Sequence, residues 1–304
     1  MRAVIERAEP SSTLRAAVSS SIPPGSVWFR VLRGYTTAER WIVSTDSERS
    51  YFVKVGTDNA TAEWLRAESR VYKALDEPWL AQVVDWIDEG DESPILILEN
   101  LHGASWPPAW DDATIDAVRE TLAAIHATEP PHGLPAITAG DRRTLAGWTD
   151  VAADPEALFA ARIIDKRWFN RAVGELIDLS AKAVMEGDRF VHMDVRSDNL
   201  CLVSGQVKLL DWNWAAIGNP TFDLCAWLPS LEAEGGPQPE TIVDGEPELA
   251  ALLAGYFCAE ISKPDPNPSS GRRAMQVRQA KSAVPWVARL LGIEPPLALP
   301  AEKP

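Results

Sequence analysis

FVHMDVRSDNLCLVSGQVKLLDWN, residues 190–213, sets a His, three Asp and two Asn between short apolar runs. Strand cores rarely carry so many acid and amide groups. These residues either decorate the ends of a surface hairpin or hold a metal and do chemistry. NLCLV and QVKLLDW flank Ser204-Gly205-Gln206. A hairpin centred on Gly205 places Leu200 opposite Leu210, Cys201 opposite Leu209 and Asn199 opposite Asp211. Directly opposed side chains stand roughly 4.5–5.5 Å apart at Cβ. An amide oxygen and a carboxylate then share one end of the hairpin. That suits Mg²⁺, which takes a few hard oxygens from protein and keeps the rest of its shell for water and phosphate. Asn and Asp are also common turn residues, and the pair alone leaves both readings open. Asp194 lies in the loop leading into the hairpin and looks into the same space.

His192-x-Asp194-x4-Asn199, a strand–turn–strand and then Asp211 follow the order of the protein-kinase catalytic loop, H-R-D-x-x-x-x-N, and its later D-F-G Asp. Such a site also needs a Lys on an N-terminal strand, held by a Glu on a helix. YFVKVG puts Lys54 in a strand, on the face of Phe52. Residues 60–75 carry an apolar helical stripe of Trp64, Leu65, Val71, Tyr72 and Leu75, with Glu68 in its middle. An inward carboxylate needs a partner, because an unpaired buried charge is costly. Lys54 is the natural one. Taken singly, Lys54 also reads as a snorkelling edge-strand residue and Glu68 as a helix flank. ILILENL reads as a last strand running into a hinge, with the backbone of Glu99 and Leu101 toward an adenine. Gly34, in LRGYTTAERW, falls in the turn over the phosphates.

The rest of the chain fits two unequal parts. SVWFRVL, ERWIVSTDSERSYFVKVG, WLAQVVDWI and PILILE read as strands, with TDSERS and DEGDES as turns. Residues 12–21 make a short helix. After the loop HGASWPPAW, residues 112–127 bring Ile115, Val118, Leu122 and Ile125 to one helical face. More helix is expected over 155–187, 246–262 and 272–291, the last two split by KPDPNPSSG. The expected fold is α+β and bilobal, protein-kinase-like. A β-rich nucleotide-binding lobe takes residues 1–100, and a mainly helical catalytic and acceptor-binding lobe takes 101–304.

The 304 residues carry a net charge of −15, which disfavours a nucleic-acid partner because phosphate attraction is the first requirement there. The same charge reads as solubility or as attraction for a cationic ligand. Cys201, Cys225 and Cys258 are odd in number and form no CxxC pair, which fits a reducing compartment. The start MRAVIERAEP has charges where a signal peptide needs an apolar run. No run of about eighteen apolar residues is present, so no membrane span is expected and the cytoplasm is the default.

VHMDVRSDN, LLDWNWA and GNPTFDLCAWL, with AESRVYKAL and LILENL, resemble the aminoglycoside phosphotransferase and choline-kinase-like family of small-molecule kinases. The family pattern is similar to H-G-D-x-x-x-x-N, then I-D-W or V-D-W, then G-x-P-x-x-D-L-A. The resemblance implies Mg²⁺-dependent transfer of the γ-phosphate of ATP or GTP to a hydroxyl of a small molecule. On matching positions it implies that Asp194 orients the acceptor hydroxyl and takes its proton. It implies that Asn199 and Asp211 bind Mg²⁺ and that Lys54, held by Glu68, contacts the phosphates. It makes Asp223 a buried brace for the catalytic loop, and His192 packs beneath that loop. Arg196 joins the catalytic set, either neutralising the transferring phosphate or bridging nearby acids. Met193 and Asn213 stand where the family often has Gly, and RGYTTAE is poor in Gly.

The acceptor is expected between the catalytic loop and the C-terminal helices, near Asp198, Trp214 and the acids of LEAEGGPQPE. An aminoglycoside or amino sugar, or another cation, would suit those acids, although Glu232 and Glu234 also read as a solvated loop. Antibiotic resistance and ordinary metabolism stay equally open, as does the oligomeric state. Two other classes compete. A nucleotide-binding kinase fold without transfer does not need the full set Lys54, Glu68, Asp194, Asn199 and Asp211. A metal-dependent hydrolase leaves Lys54, Glu68 and the hinge unexplained.

Overall fold

The computed structural model describes residues 5–32, 34–45, 49–90, 93–101, 103–106, 109–265 and 271–296. Parts of TDSERS, DEGDES, HGASWPPAW and KPDPNPSSG, the first four residues and the end of the tail lie outside the described residues.

The first part contains β1 (Ile5–Arg7), α1 (Ser12–Ala17), β2 (Val27–Val31), β3 (Glu39–Ser44), β4 (Ser50–Val55), α2 (Asn59–Ala74), β5 (Val83–Ile87) and β6 (Ile95–Glu99). Its six strands form one antiparallel sheet in the order β1-β2-β3-β4-β6-β5. Two-residue alternation divides the sheet's faces. Trp28, Trp41, Val43, Val53, Val55, Ile95 and Ile97 pack together under Leu14 of α1 and Val18 just after it. The opposite face of β4 carries Phe52 and Lys54, directly opposed to Leu98 and Leu96 of β6. α2 starts in a capping box between Asp58 and Thr61, so its first free N–H groups are satisfied locally. Its Leu65, Val71 and Tyr72 join Leu96 and Leu98 in a core that continues into the second part.

That second part runs α3 (Asp112–Ala127), α4 (Ala139–Leu145), α5 (Trp148–Ala153), α6 (Glu156–Ala160), α7 (Lys166–Ser180), β7 (Arg189–Val191), β8 (Leu200–Val203), β9 (Gln206–Leu209), a 3₁₀ turn at Trp212–Trp214, β10 (Ala216–Gly218), α8 (Pro220–Ala233), α9 (Pro247–Ser262) and α10 (Arg272–Leu290). α9 is buried on nearly every side, as expected of a helix apolar all round. Trp148, Trp212, Trp227 and Trp286 are fully buried, and the three cysteines are buried and free. The fold is α+β and bilobal, as the sequence predicts. No helix among the described residues is long and apolar enough to cross a membrane.

The details depart from expectation where tertiary contacts decide. The helix expected over 155–187 is broken: Arg162 takes φ 55°, and Asp165 caps a new start by accepting from the Trp168 N–H at 2.9 Å. β7 and β10, three residues each, pair antiparallel with Val191 opposite Ala216. They tie the start of the polar stretch to the chain just beyond it. The hairpin register also differs by one residue. Leu200 faces Leu209, Cys201 faces Lys208, and Val203 faces Gln206. Ser204 (φ 50°) and Gly205 (φ 83°) both turn left-handed, which is the two-residue type I′ loop, so the symmetry point falls between them and not on Gly205. Asn199 is therefore not opposite Asp211; its carbonyl accepts from the Leu210 N–H instead, at 2.9 Å.

Candidate active site

Lys54 projects from β4 toward α2, where its Nζ donates to both oxygens of Glu68, at 2.8 and 2.9 Å. Lys54 is 7% exposed and Glu68 2%. The same Nζ donates to Asp211 Oδ1, so one ammonium holds two carboxylates across the two lobes. Burial opposes the charge on Lys54, but Asp211 and Glu68 outweigh it and raise its pKa. Burial likewise opposes ionisation of Asp211, and Lys54 reverses this, holding the carboxyl at about 2. Asp211 takes φ 62°, a left-handed conformation that Asp tolerates better than most residues. Asn213, with its amide nitrogen toward the Asp211 carbonyl (3.0 Å) and its oxygen toward the Trp214 N–H (2.9 Å), closes the turn.

The catalytic-loop candidates are set from below. Asp223, fully buried on α8, accepts from the backbone N–H of His192 (2.7 Å) and Met193 (2.8 Å) and from His126 Nε2 (3.1 Å). Met193 has φ 68°, which explains why glycine is frequent there in the family it resembles. The two amide bonds to Asp223 hold it in that conformation. His192 Nδ1 accepts from the Asp194 N–H at 3.2 Å and Nε2 faces the Leu210 carbonyl at 2.9 Å. A carbonyl only accepts, so His192 is the neutral Nε2–H tautomer, and burial keeps its pKa low. It lies against Trp212, which also packs on Phe190 and Trp79. Asp223→Ala is expected to orphan three donors, one of them fully buried, and cost about 3 kcal/mol. Urea unfolding should show the midpoint fall accordingly.

Asp194 is engaged on both oxygens. Asn199 Nδ2 donates to its Oδ2 and to its backbone carbonyl, each at 2.9 Å, and Arg196 Nη1 donates to its Oδ1. Burial raises the Asp194 pKa to about 6 despite Arg196. Arg196 also reaches Asp198 through Nε at 2.9 Å, so it bridges the two acids. Burial opposes ionisation of Asp198, but Arg196 and the Tyr35 hydroxyl outweigh it and hold its carboxyl below the usual range. Tyr35, from the loop between β2 and β3, also covers the Arg196 guanidinium, 5.8 Å from ring centroid to Cζ. Sequence reading missed Tyr35 and His126, because both act through contacts between distant segments that no local spacing announces.

The hinge candidates are placed at the end of β6. The Glu99 N–H donates to the Gln82 carbonyl at 2.8 Å, and its side chain accepts from the Gln82 N–H and from Lys208 Nζ. Leu101 follows directly, and its carbonyl accepts from the Ala104 N–H. Gly34 lies in the β2–β3 loop beside Arg40. Trp214 is 54% exposed and leans on Trp64 of α2, with centroids 6.2 Å apart. Glu232 accepts from Ser282 and Arg289, and Glu234 from the Trp110 indole Nε1 at 3.1 Å.

Among the described residues no group of three or more His, Cys, Asp or Glu is arranged to hold a metal. The donor set does fit Mg²⁺. Asn199 spends its Nδ2 on Asp194, which leaves its amide oxygen for a cation, and Asp211 adds an ionised carboxylate. Two protein oxygens with water and phosphate are what Mg²⁺ takes.

The model of a family described as "phosphotransferase enzyme family" matches residues 28–266. No curated protein matches by sequence. Among solved structures, a thermostable mutant of aminoglycoside phosphotransferase APH(4)-Ia, in ternary complex with ADP and hygromycin B, is similar with a TM-score of 0.59 and 16% identity, covering 92% of this chain and 99% of that one. Choline kinase LicA from Streptococcus pneumoniae is similar with a TM-score of 0.55 and 17% identity, over 89% and 98% of the two chains. Aminoglycoside-3'-phosphotransferase of type VIII is similar with a TM-score of 0.52 and 20% identity, over 90% and 100%. At these identities the likeness is one of fold, the kinase-like fold. With the family match spanning most of its length, the chain belongs to the phosphotransferase enzyme family.

Proposed function

We propose that this chain transfers the γ-phosphoryl group of ATP or GTP to a hydroxyl of a small molecule, with Mg²⁺. The observation that carries the reading is the buried Lys54–Glu68 pair, whose ammonium also reaches Asp211, together with Asp194 held by Asn199 in the loop before it. Phosphoryl transfer passes through a loose transition state with its charge spread over the oxygens, so positioning and neutralisation are most of the work. Lys54 supplies a fixed positive charge to the phosphates. Asn199 and Asp211 would hold Mg²⁺, which would offset the phosphate charge when bound. Asp194 accepts the hydrogen bond of the acceptor hydroxyl and takes its proton as the new O–P bond forms. The bond from γ-phosphorus to the bridging oxygen breaks, and the nucleoside diphosphate leaves with that electron pair. Arg196 turns from Asp194 toward the transferring group. The carbonyl of Glu99 and the amide of Leu101 meet the base edge, and Gly34 lies over the phosphates.

Residues 1–100 hold the nucleotide in this reading, and 101–304 supply the catalytic loop and the acceptor site. An aminoglycoside or amino sugar is one acceptor class, given that a fold neighbour was solved with hygromycin B. A thermal-shift series with ATP and GTP, with and without Mg²⁺, tests the reading. Stabilisation by nucleotide that disappears with EDTA is the expected result. Nucleotide-independent hydrolysis of a phosphoester with no such stabilisation would place the chain with metal-dependent hydrolases instead.

A further inference from the structure

We infer that Arg40 is a second phosphate-binding cation, and that the glycine-poor loop between β2 and β3 is built around it. This rests on the nucleotide-dependent reading above. The register of β3 and β4 pairs Arg40 directly with Lys54, as it pairs Ile42 with Phe52. Directly opposed residues send their side chains to the same face, roughly 5 Å apart at Cβ. Arg40 therefore shares the cleft face of the sheet with Lys54. Its charge is felt by Glu68 and Asp211, the two acids that Lys54 holds.

The three cations of the site differ in what they have left to give. Lys54 is held by Glu68 and Asp211. Arg196 is held by Asp194 and Asp198. Arg40 makes no ion pair among the described residues. Its donors go to neutral oxygens of the loop, Nη1 to the Ala38 carbonyl at 3.0 Å and Nη2 to Thr36 Oγ1 at 2.7 Å. Neighbouring Glu39 points to the other face, where it accepts from Trp41 Nε1 at 3.1 Å and from Arg30 at 3.5 Å. Asp58, which caps α2, is taken by Thr37 and Thr61. Arg40 thus keeps a full positive charge and spare N–H donors, half-buried, in the cleft where a polyphosphate would lie.

Gly34 gains a role in the same arrangement. A Cβ at position 34 would fall 2.3 Å from Arg40 Nη1 and 2.7 Å from its Cζ. Glycine here makes room for the guanidinium, so the loop does with a half-buried arginine what glycine-rich loops do with bare amides. A guanidinium fork matches phosphate geometry and its bonds to anions are charge-assisted, stronger than neutral ones.

The experiment is calorimetric titration of the full chain with Mg²⁺-ATP and, separately, with adenosine, for the wild type, Arg40→Met, Arg40→Lys and Gly34→Ala. Arg40→Met is expected to weaken Mg²⁺-ATP binding at least about tenfold and leave adenosine unchanged. Arg40→Lys should recover part of the loss, and Gly34→Ala should show a smaller loss with the same selectivity for the phosphates. Unchanged ATP affinity in Arg40→Met overturns the inference. So does a parallel loss for ATP and adenosine, which marks a merely structural arginine. If Arg40→Met fails to fold, wild-type ATP affinity in Gly34→Ala together with no ATP-selective loss in Arg40→Lys overturns it too. A wild type that binds adenosine but gains nothing from the triphosphate defeats the phosphotransfer reading itself, and this inference with it.

Discussion

Lys54→Met is expected to abolish transfer and to cost the fold about 3–5 kcal/mol, because it leaves the Glu68 carboxylate buried without a partner. Glu68 is 2% exposed and receives both of its short contacts from Lys54 Nζ. Burial already raises its pKa, so without Lys54 it takes up a proton rather than remain charged. The double variant Lys54→Met with Glu68→Leu removes the buried pair and leaves Asp211, whose side chain is 46% exposed, to solvent. It should regain most of the lost stability, since an apolar replacement of both partners of a buried pair is often neutral or better. It should regain no activity, because the phosphates still lack their cation. Denaturant midpoints of the two variants separate the stability cost of the pair from its chemical role. Equal destabilisation of both variants would refute that separation.

Asp194→Asn is expected to act in the opposite sense on stability and activity. Loss of a positioned general base costs roughly 10²–10⁴-fold in rate. Stability should rise. The folded-state pKa of Asp194 is raised from 3.8 to about 6, chiefly by burial, so the folded chain binds the proton more tightly than the unfolded chain does. The sign follows: protonation favours folding below the unfolded value, and that advantage is lost as pH rises through about 6. Above about pH 6 the ionised carboxylate burdens the wild type by about 1–3 kcal/mol, a burden the neutral amide lacks. The stability gap between Asp194→Asn and the wild type should widen between about pH 4 and 6 and then level off. In kcat/KM, the wild type should show an acidic limb with a midpoint near the same pH, because only the ionised form accepts the acceptor's proton.

Much of this arrangement is legible without coordinates, for identifiable reasons. Glu68 interrupts an apolar helical stripe, and a carboxylate there has to be paired, which points to Lys54 before any contact is seen. α3 occupies Asp112–Ala127, the segment its period marks, because Ile115, Val118, Leu122 and Ile125 all bury. Local pattern fails where one residue of freedom remains or where distant segments meet. Ser204-Gly205 closes as a two-residue turn, and that single shift turns Asn199 toward Asp194 and away from direct opposition to Asp211. β7 and β10 are too short to show a period. Tyr35 reaches Asp198 and Arg196 from the other lobe, and nothing in RGYTTAE foretells it. Arg40 is within reach of the sequence: pairing ERWIVS with SYFVKV sets it opposite Lys54, but its own context is that of any strand-edge charge.

The most direct test of phosphoryl transfer from the Asp194 loop is Mg²⁺-dependent release of nucleoside diphosphate over a panel of aminoglycosides, amino sugars, nucleosides and amino alcohols, with the product identified by mass. The wild type should release diphosphate in step with a phosphorylated acceptor from at least one class, and lose this in EDTA. Asp194→Asn should bind nucleotide as the wild type does and form product at least about 100-fold more slowly. Turnover in Asp194→Asn equal to that of the wild type would contradict the account.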